Sequence, residues 1–293
     1  MARFGQAATQ CIPHSIAAVL RLSHGQDADP IVDAGLAWLA GTDPYTVVGV
    51  PYVSPPTLLP LAGALAATPA PVLVLQALGA AASMRAGWLV WRGLGSSARA
   101  ALAAVLLLPQ SLAALEKGQT APVVAWALAA LVFGGSTLEA SVALTVACAA
   151  KVTPLALLPL VALYRPRVAW GTVGALAVLS ALGGPWWAEW RVQLAWVSPE
   201  MAAHPDNLAL PLWPGVVIAV SLGLIGWRLD ARRRVAVAWL AVSALSPLLW
   251  AYYAPALLVA GFALAGDDED ADQEQRDSQC AADGDSDDLC VVR

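Results

Sequence analysis

The stretch that decides the fold is LTVACAAKVTPLALLPL, residues Leu144–Leu160, an apolar run that holds one charged side chain, Lys151. An ammonium group in hydrocarbon is costly, so an ionisable residue inside such a run is first considered as part of a functional site. Pro154 lacks a backbone N–H and cannot extend a preceding helix without loss. The stretch therefore predicts two helical pieces that meet at Lys151, and makes this lysine a candidate site residue.

The composition indicates a membrane protein. Of the 293 residues, 59% are hydrophobic and 13% are charged, whereas soluble domains carry about 25% charged residues. The apolar runs are continuous and lack the alternation of a membrane barrel. We therefore predict an all-α, polytopic transmembrane helical bundle. Its apolar segments are 71–91, 100–115, 120–134, 138–164, 168–184, 210–228, 235–247 and 250–266, with a shorter piece at 57–68.

Charge divides the chain unevenly. Eleven of the 21 acidic residues follow Gly266, which leaves ten acids and fourteen bases in the rest. So acidic a segment buries too little apolar surface to become ordered. The predicted division is a stunted first helix at 1–24, an outer-face loop at 25–69, the transmembrane bundle at 70–266, and a disordered acidic cytoplasmic tail at 267–293.

Basic residues predict which loops share a side of the membrane. Three loops are marked by arginines, at Arg92 and Arg99, at Arg165 and Arg167, and at Arg228 with Arg232, Arg233 and Arg234. The positive-inside rule assigns all three to the cytoplasm. The remaining loops, among them 185–209 with its aromatic GGPWWAEW cluster, then face outside. They carry eight of the ten acids that precede the tail.

The segment 138–164 must then begin and end on the cytoplasmic side. Each half measures roughly 20 Å as a helix, less than the roughly 30 Å of a hydrocarbon core. We therefore predict a hairpin of two short helices with Lys151 at its apex, Thr153 as a helix cap and Pro154 in the first turn that follows. A lysine that extends to the membrane interface is the structural alternative. Arg85, inside another predicted helix, has no role that the sequence explains.

Polar residues of the predicted outer loops are the other candidates for chemistry. The carboxylate of Asp27, or of Asp29 as second choice, is placed to accept a proton from a hydroxyl group; a solvated loop acid is the alternative. Candidate substrate-binding residues accompany Lys151 in the remaining outer loops: Glu116, Gln119, Arg191, His204, Asp206, Asn207, Trp250, Tyr252 and Tyr253. Capping of a following helix explains Asp206 or Asn207 equally well.

Five motifs occur in an order typical of one family of membrane enzymes. They are Asp27 with AGLAWLAGTDPY (34–45), PYVSPP (51–56), Gly118-Gln119, KVTPLALL (151–158) and SPLLWAYY (246–253). In this order, across residues 27–266, they resemble the polyprenyl-phosphate-sugar-dependent glycosyltransferases of the membrane GT-C fold. The closest resemblance is to glycosyltransferase family 87, of the α-mannosyltransferase type.

The resemblance implies a GT-C-like bundle with an outer amphipathic loop, in the cell membrane, with its active site facing outside. It implies transfer of a hexose, with mannose favoured, from a polyprenyl-phosphate donor to a glycolipid or polysaccharide. Asp27 or Asp29 would be the base, and Lys151 would stabilise the leaving phosphate.

The four cysteines lack metal-ligand spacing. We therefore expect no metal or cofactor, and the sequence has no nucleic-acid motif.

Two other functions remain open. A transporter or flippase of a lipid-linked substrate also needs broken helices and charges within the membrane. It predicts internal repeats and polar residues in both halves of the membrane, and the sequence has neither. An inactive, truncated membrane protein is the second alternative, because the first helix is short and Tyr252 stands where the family has histidine.

Overall fold

A computed structural model describes residues 28–46, 52–94, 119–203, 209–246 and 253–265. These residues form eleven α-helices and two short 3-10 helices, and no β-strand occurs in any of the described ranges. The prediction of an all-α fold is therefore confirmed.

The helices match the predicted apolar segments closely. In chain order they are α1 (Asp29–Leu39), α2 (Leu59–Ala66), α3 (Pro71–Gly93), α4 (Ala121–Val132), α5 (Thr137–Ala150), α6 (Leu158–Tyr164), α7 (Pro166–Gly183), α8 (Trp187–Ala203), α9 (Leu212–Gly226), α10 (Ala231–Leu245) and α11 (Ala254–Ala265). The 3-10 helices are Pro56–Leu58 and Thr153–Leu157. The predicted segment 100–115 and the predicted tail lie outside the described residues.

Helix α4 forms the centre of the bundle. It packs against α3, α5, α10 and α11, and ten of its twelve residues are buried. Five of those ten are alanines, whose small side chains let helix backbones approach closely. The main core therefore surrounds α4, and the other helices are arranged around it.

The predicted break at Lys151 is present. Helix α5 ends at Ala150, Lys151 has an extended backbone, and the chain resumes as the 3-10 helix Thr153–Leu157 that leads into α6. Pro154 lies in the first turn of that 3-10 helix, as predicted. The prediction that Thr153 caps it is wrong, because Val152 occupies the cap position and no side chain caps the turn.

Both ends of this broken pair lie at one end of the bundle, which we call the arginine end. The guanidinium of Arg165, after α6, donates hydrogen bonds to the carbonyls of Ala130 (3.0 Å) and Gly135 (2.7 Å), beside the start of α5. The chain therefore folds back at Lys151, as a hairpin does. We call the opposite end of the bundle, where Lys151 lies, the lysine end.

The other arginine-bearing loops also meet at the arginine end. Arg232 donates to the carbonyl of Gly93 at the end of α3 (3.1 Å). Arg234 donates to three carbonyls at the end of α9 and lies 5.2 Å from the ring centre of Tyr164. Cations at helix C-termini offset the negative end of the helix dipole. These arginines therefore have a structural role, in addition to any preference for one side of a membrane.

Arg85, which the sequence left unexplained, forms an ion pair within the bundle. Its guanidinium donates to both carboxylate oxygens of Glu139, at 2.6 and 2.8 Å, and the Trp126 indole also donates to Glu139 (3.0 Å). The Glu139 side chain is 13% exposed and that of Arg85 is 43% exposed. This polar group joins α3, α4 and α5 through charge-assisted hydrogen bonds.

Helix length alone identifies few membrane spans. Helix α3 is long and apolar enough to cross a bilayer, and α7 with residues 187–196 of α8 passes the same test as a pair bent by 92°. The other apolar helices within the described ranges have 10–17 residues. The bend follows Gly184, whose positive φ of 84° suits glycine. Helix α8 occupies much of the segment 185–209, which the sequence predicted as a loop.

The described residues that precede α3, 28–46 and 52–70, form a separate layer at the lysine end. Helix α1 packs on α2, and their buried residues share a core with Tyr45, Tyr52 and Ala150, the last residue of α5. Within the predicted outer-face loop, residues 29–39 and 56–66 are helical. Helix α1 lies in the part of that loop that was predicted to be amphipathic.

The contact between α7 and residues Pro56–Leu58 provides a test of this packing. A Cβ atom at Gly183 would overlap the backbone carbonyl of Pro56, whereas one at Gly174, in the same helix, would meet no atom within 4 Å. We expect Gly183→Ala to lower the free energy of unfolding by about 1–3 kcal/mol through overpacking. Gly174→Ala should raise it by about 0.5–1 kcal/mol. Denaturant unfolding of the detergent-solubilised variants measures both, and equal effects would contradict the contact.

Candidate functional site

The lysine end is where the predicted site residues of the described chain gather. Helix α4 begins there after Gln119, α5 ends there before Lys151, and α11 begins there after Tyr253. Gln119 and Tyr253 are buried, and Lys151 is half-buried. Tyr253 shares the main core with Cys148 and Leu157, which lie on either side of the helix break.

Three hydrogen bonds fix the segment 52–58 over this end. Thr57 donates to the carbonyl of Ala149, two residues before Lys151 (3.2 Å). Trp190 of α8 donates its indole N–H to the carbonyl of Val53 (3.1 Å). The hydroxyl of Tyr45 donates to the carbonyl of Ser54 (3.0 Å). The segment is therefore attached to the end of α5, to α8 and to the turn that follows α1.

A cavity of about 520 Å³ lies under this segment. Its lining residues come from the 52–58 segment, the helix break, α7 and the start of α8: Pro55, Thr57, Cys148, Val152, Leu155, Val173, Leu176, Ala177, Ser180, Trp187 and Trp190. Cys148 and Val152, which line this space, lie three residues before and one residue after Lys151 in the chain. The lining is mainly apolar and suits a hydrocarbon chain better than a free sugar.

The acids predicted as catalytic are only partly described. Asp29 is exposed in the first turn of α1, at the lysine end, and Asp33 is exposed one turn later. Asp27 lies outside the described residues. Desolvation, and then the charge of Asp29, raise the pKa of Asp33 above its usual range. A second negative charge therefore faces Asp29 on the same side of α1.

Of the other predicted substrate-binding residues, some lie in the described ranges and some lie outside them. Arg191 is exposed on α8, next to Trp190. Residues outside the described ranges are Glu116, His204, Asp206, Asn207, Trp250 and Tyr252. The described part of the candidate site thus consists of Asp29, Gln119, Lys151, Arg191 and Tyr253. Asp29, Gln119, Lys151 and Tyr253 lie at the lysine end, and Arg191 lies on α8.

Asp43, in the GTDPY motif, has a local structural role. Its carboxylate accepts a hydrogen bond from the backbone N–H of Tyr45 (2.9 Å), which is the geometry of an Asx turn. This turn directs Tyr45 into the layer core, where its ring lies 5.4 Å from that of Tyr52. Burial, and then Tyr52, Asp43 and Glu189, raise the pKa of Tyr45 above its ordinary value. The phenol therefore stays protonated and donates to Ser54.

Sequence reasoning missed Glu189. It lies in the first turn of α8, inside the aromatic GGPWWAEW cluster. The residue is half-buried, and its Oε2 atom is buried with no hydrogen-bond partner among the described residues. The only sequence signal was an acid within a run of tryptophans.

Metal chemistry has no support in the described ranges, where no group of three or more His, Cys, Asp or Glu side chains is arranged to hold an ion. Comparisons of the chain with family models, with curated proteins and with solved structures gave no match. The chemistry of the site must therefore be inferred from its own residues.

The attachment of segment 52–58 to α8 can be tested at Trp190. Trp190→Phe keeps an aromatic ring but removes the N–H that bonds to Val53, so we expect a loss of about 1 kcal/mol in the free energy of unfolding. Amide hydrogen exchange in residues 52–58 should become faster. Trp187→Phe is the matched control, because its indole lines the same cavity and is 37% exposed. Similar exchange rates in both variants would exclude the attachment.

Proposed function

We propose that the protein is a membrane glycosyltransferase that moves a hexose, with mannose favoured, from a polyprenyl-phosphate donor to a glycolipid or polysaccharide. The observation that carries this proposal is the position of Lys151. It lies at a break between two short apolar helices, and its near neighbours in the chain, Cys148 and Val152, line an apolar cavity of about 520 Å³. A cation beside an apolar space matches a substrate with an anionic head and a hydrocarbon chain.

A multi-pass membrane location is part of the proposal. Large apolar side chains are exposed along most of the helices, including Trp170 on α7, Trp213 and Leu224 on α9, and Leu163 on α6, each at least 71% exposed. Contiguous exposed apolar surface on this scale suits lipid better than water. Short helices also suit a bundle in which several segments end within the membrane rather than crossing it.

The ends of the bundle support one orientation. The arginine end carries Arg165, Arg232 and Arg234, and by the positive-inside rule it would face the cytoplasm. The lysine end, with the cavity and α1, would then face outside. A lipid-linked donor in the outer leaflet would reach the cavity from the side, between α7 and α8, whose residues form one of its walls.

The proposed chemistry is a single displacement. An oxygen of the acceptor attacks the anomeric carbon of the donor sugar while the bond from that carbon to the phosphate oxygen breaks. The phosphate leaves with the bonding electrons, and the acceptor proton passes to the carboxylate of Asp27, or of Asp29 as second choice. Lys151 stabilises the charge that grows on the leaving phosphate, with Arg191 as a second cation. The sugar carbon is attacked from the face opposite the phosphate.

The remaining proposed contacts are with the two substrates. Gln119 and Tyr253, which directly precede α4 and α11 at the lysine end, would bind the donor head. Glu116, His204, Asp206, Asn207, Trp250 and Tyr252 complete the proposed substrate-binding set. Each of these is a hydrogen-bonding or aromatic side chain, as sugar recognition requires.

Sugar transfer by purified variants in liposomes tests the proposal. We expect wild-type protein to transfer radiolabelled mannose from polyprenyl-phosphate mannose to a cell glycolipid extract. Lys151→Ala should lower the rate about 10²–10³-fold, because it removes stabilisation of the leaving charge. Asp27→Asn should lower it about 10²–10⁴-fold, as loss of a general base does.

Matched controls separate chemistry from net charge. Arg167→Ala removes an exposed cation at the arginine end, and Asp33→Asn removes an exposed acid of α1. Each should retain most of the activity. A wild-type protein that transfers no hexose from any polyprenyl-phosphate donor would refute the proposal. Movement of the lipid-linked sugar across the liposome membrane without transfer would identify a flippase instead.

A further inference from the structure

Two helices begin side by side at the arginine end. Helix α5 starts at Thr137 and helix α7 at Pro166, and the two pack against each other. One turn into α5, the hydroxyl of Ser141 donates to the carbonyl of Val168 (3.4 Å), and the hydroxyl of Thr172 donates to the carbonyl of Ser141 (3.4 Å). The first turns of both helices are therefore held next to each other.

A cavity of about 260 Å³ lies at these two first turns. Its described lining residues are Thr137, Arg165, Pro166, Arg167 and Val168. The lining thus includes two arginines and a threonine, and no acidic residue is among it. Glu139, the next acid along α5, is paired with Arg85 instead. Two cations and a hydroxyl around one space form a site for an anion, and the guanidinium fork suits phosphate oxygens in particular.

The two arginines differ in what they already bind. Arg165 donates to the carbonyls of Ala130 and Gly135, so its position is fixed by the fold. Arg167 is exposed, and it makes no hydrogen bond or ion pair with any described residue. All five N–H donors of its guanidinium are therefore open to a ligand. One arginine provides a fixed charge, and the other provides the donors.

An exposed apolar strip of α7 begins at Arg167. Trp170, Gly174 and Val178 follow it by 3, 7 and 11 residues, which is the spacing of one helix face. Trp170 is 71% exposed and Val178 is 59% exposed. Arginine and tryptophan both suit a membrane interface, where the apolar part of the side chain meets hydrocarbon and the polar part meets head groups. A cation at the end of such a strip matches an amphiphile better than a soluble anion.

We propose that this cavity binds the phosphate of an anionic phospholipid, in the leaflet at the arginine end. The cavity is smaller than the roughly 300–1,000 Å³ of pockets that enclose a drug-sized ligand. It therefore holds a head group, while the acyl chains lie along the exposed strip of α7. Basic pockets between membrane helices on the cytoplasmic side bind anionic head groups in this way. The site rests on the proposed membrane location but not on sugar transfer, which is assigned to the opposite end of the bundle.

Native mass spectrometry of the full chain in detergent tests the site by measuring lipid binding. The probes are dioleoyl phosphatidylglycerol, dioleoyl phosphatidylcholine, which has the same chains but no net charge, and glycerol 3-phosphate, which has the phosphate without chains. We expect wild-type protein to bind phosphatidylglycerol with the lowest Kd of the three. Arg167→Ala should raise that Kd about five- to tenfold, because it removes one charge-assisted contact.

Arg92→Ala is the matched control. Arg92 is an exposed cation in the last turn of α3, also at the arginine end, and it is not among the lining residues of the cavity. Its loss changes the net charge equally and should leave the Kd for phosphatidylglycerol within about twofold of the wild-type value. Thr137→Val, at an exposed position of the lining, should also weaken binding, which provides a second variant if Arg167→Ala does not fold.

Three results would overturn the site: equal Kd values for the two lipids, an Arg167→Ala variant that binds phosphatidylglycerol like wild type, or an equal loss of binding in Arg92→Ala. Glycerol 3-phosphate that binds as tightly as phosphatidylglycerol would overturn it in favour of a soluble phosphate ligand. The sugar-transfer assay is a separate readout. Lipid binding that depends on Arg167, in a protein that transfers no hexose, would refute the proposed function and keep the lipid site. Transfer without preference for the anionic lipid would do the reverse.

Discussion

Arg165 makes the contact on which the rest of the structure depends. Its guanidinium joins the end of α6 to the carbonyls of Ala130 and Gly135, so that a segment that leaves the arginine end returns to it. The chain must then reverse direction inside an apolar run, and Lys151 occupies the reversal. A continuous helix would have ended at the lysine end instead. Because the chain returns, α7 begins at the arginine end, directly after Arg165, and residues of the helix break line the cavity.

The fold-back of the chain at Lys151 also explains where the arginine side chains lie. Helices α3, α4 and α9 all end where an arginine from later in the chain donates to carbonyls at their C-terminal ends. The partners are 139 residues apart for Arg232, 35 for Arg165 and 8 for Arg234. The lysine end has no such cluster of arginines among the described residues, and it contains the mainly apolar cavity. One end of the bundle thus uses arginines to join helix ends. At the other end, residues on both sides of the helix break line a cavity.

The broken hairpin was predictable because its signals are local. Pro154 limits the helix, and Arg165 and Arg167 mark the C-terminal end of the segment. The helical state of α8 was not predictable from hydropathy, since the segment Trp187–Ala203 mixes aromatic, charged and small residues without an apolar stripe. Its composition of Ala, Glu, Gln, Leu and Met favours a helix, but that signal is weak in a segment expected to be a loop.

Other features depend on contacts that sequence cannot reveal. Arg85 finds its partner 54 residues away in Glu139, and the two share no motif. The indole of Trp190 donates to the carbonyl of Val53, 137 residues away in the chain. Thr153 failed as a predicted cap because the turn begins as a 3-10 helix, in which Val152 takes that position. The site residues nearest the break were predictable, whereas those that complete it by long-range packing were not.

In the proposed orientation, the lysine end and the arginine end face opposite sides of a membrane. The direct measurement is labelling of intact cells with a membrane-impermeant maleimide, using a chain whose four cysteines are replaced by alanine. One new cysteine is placed at Asp33, on the exposed face of α1, or at Arg233, in the first turn of α10. The account predicts that the cysteine at position 33 is labelled in intact cells, and that the one at 233 is labelled only after permeabilisation. Labelling of both from the same side would contradict it.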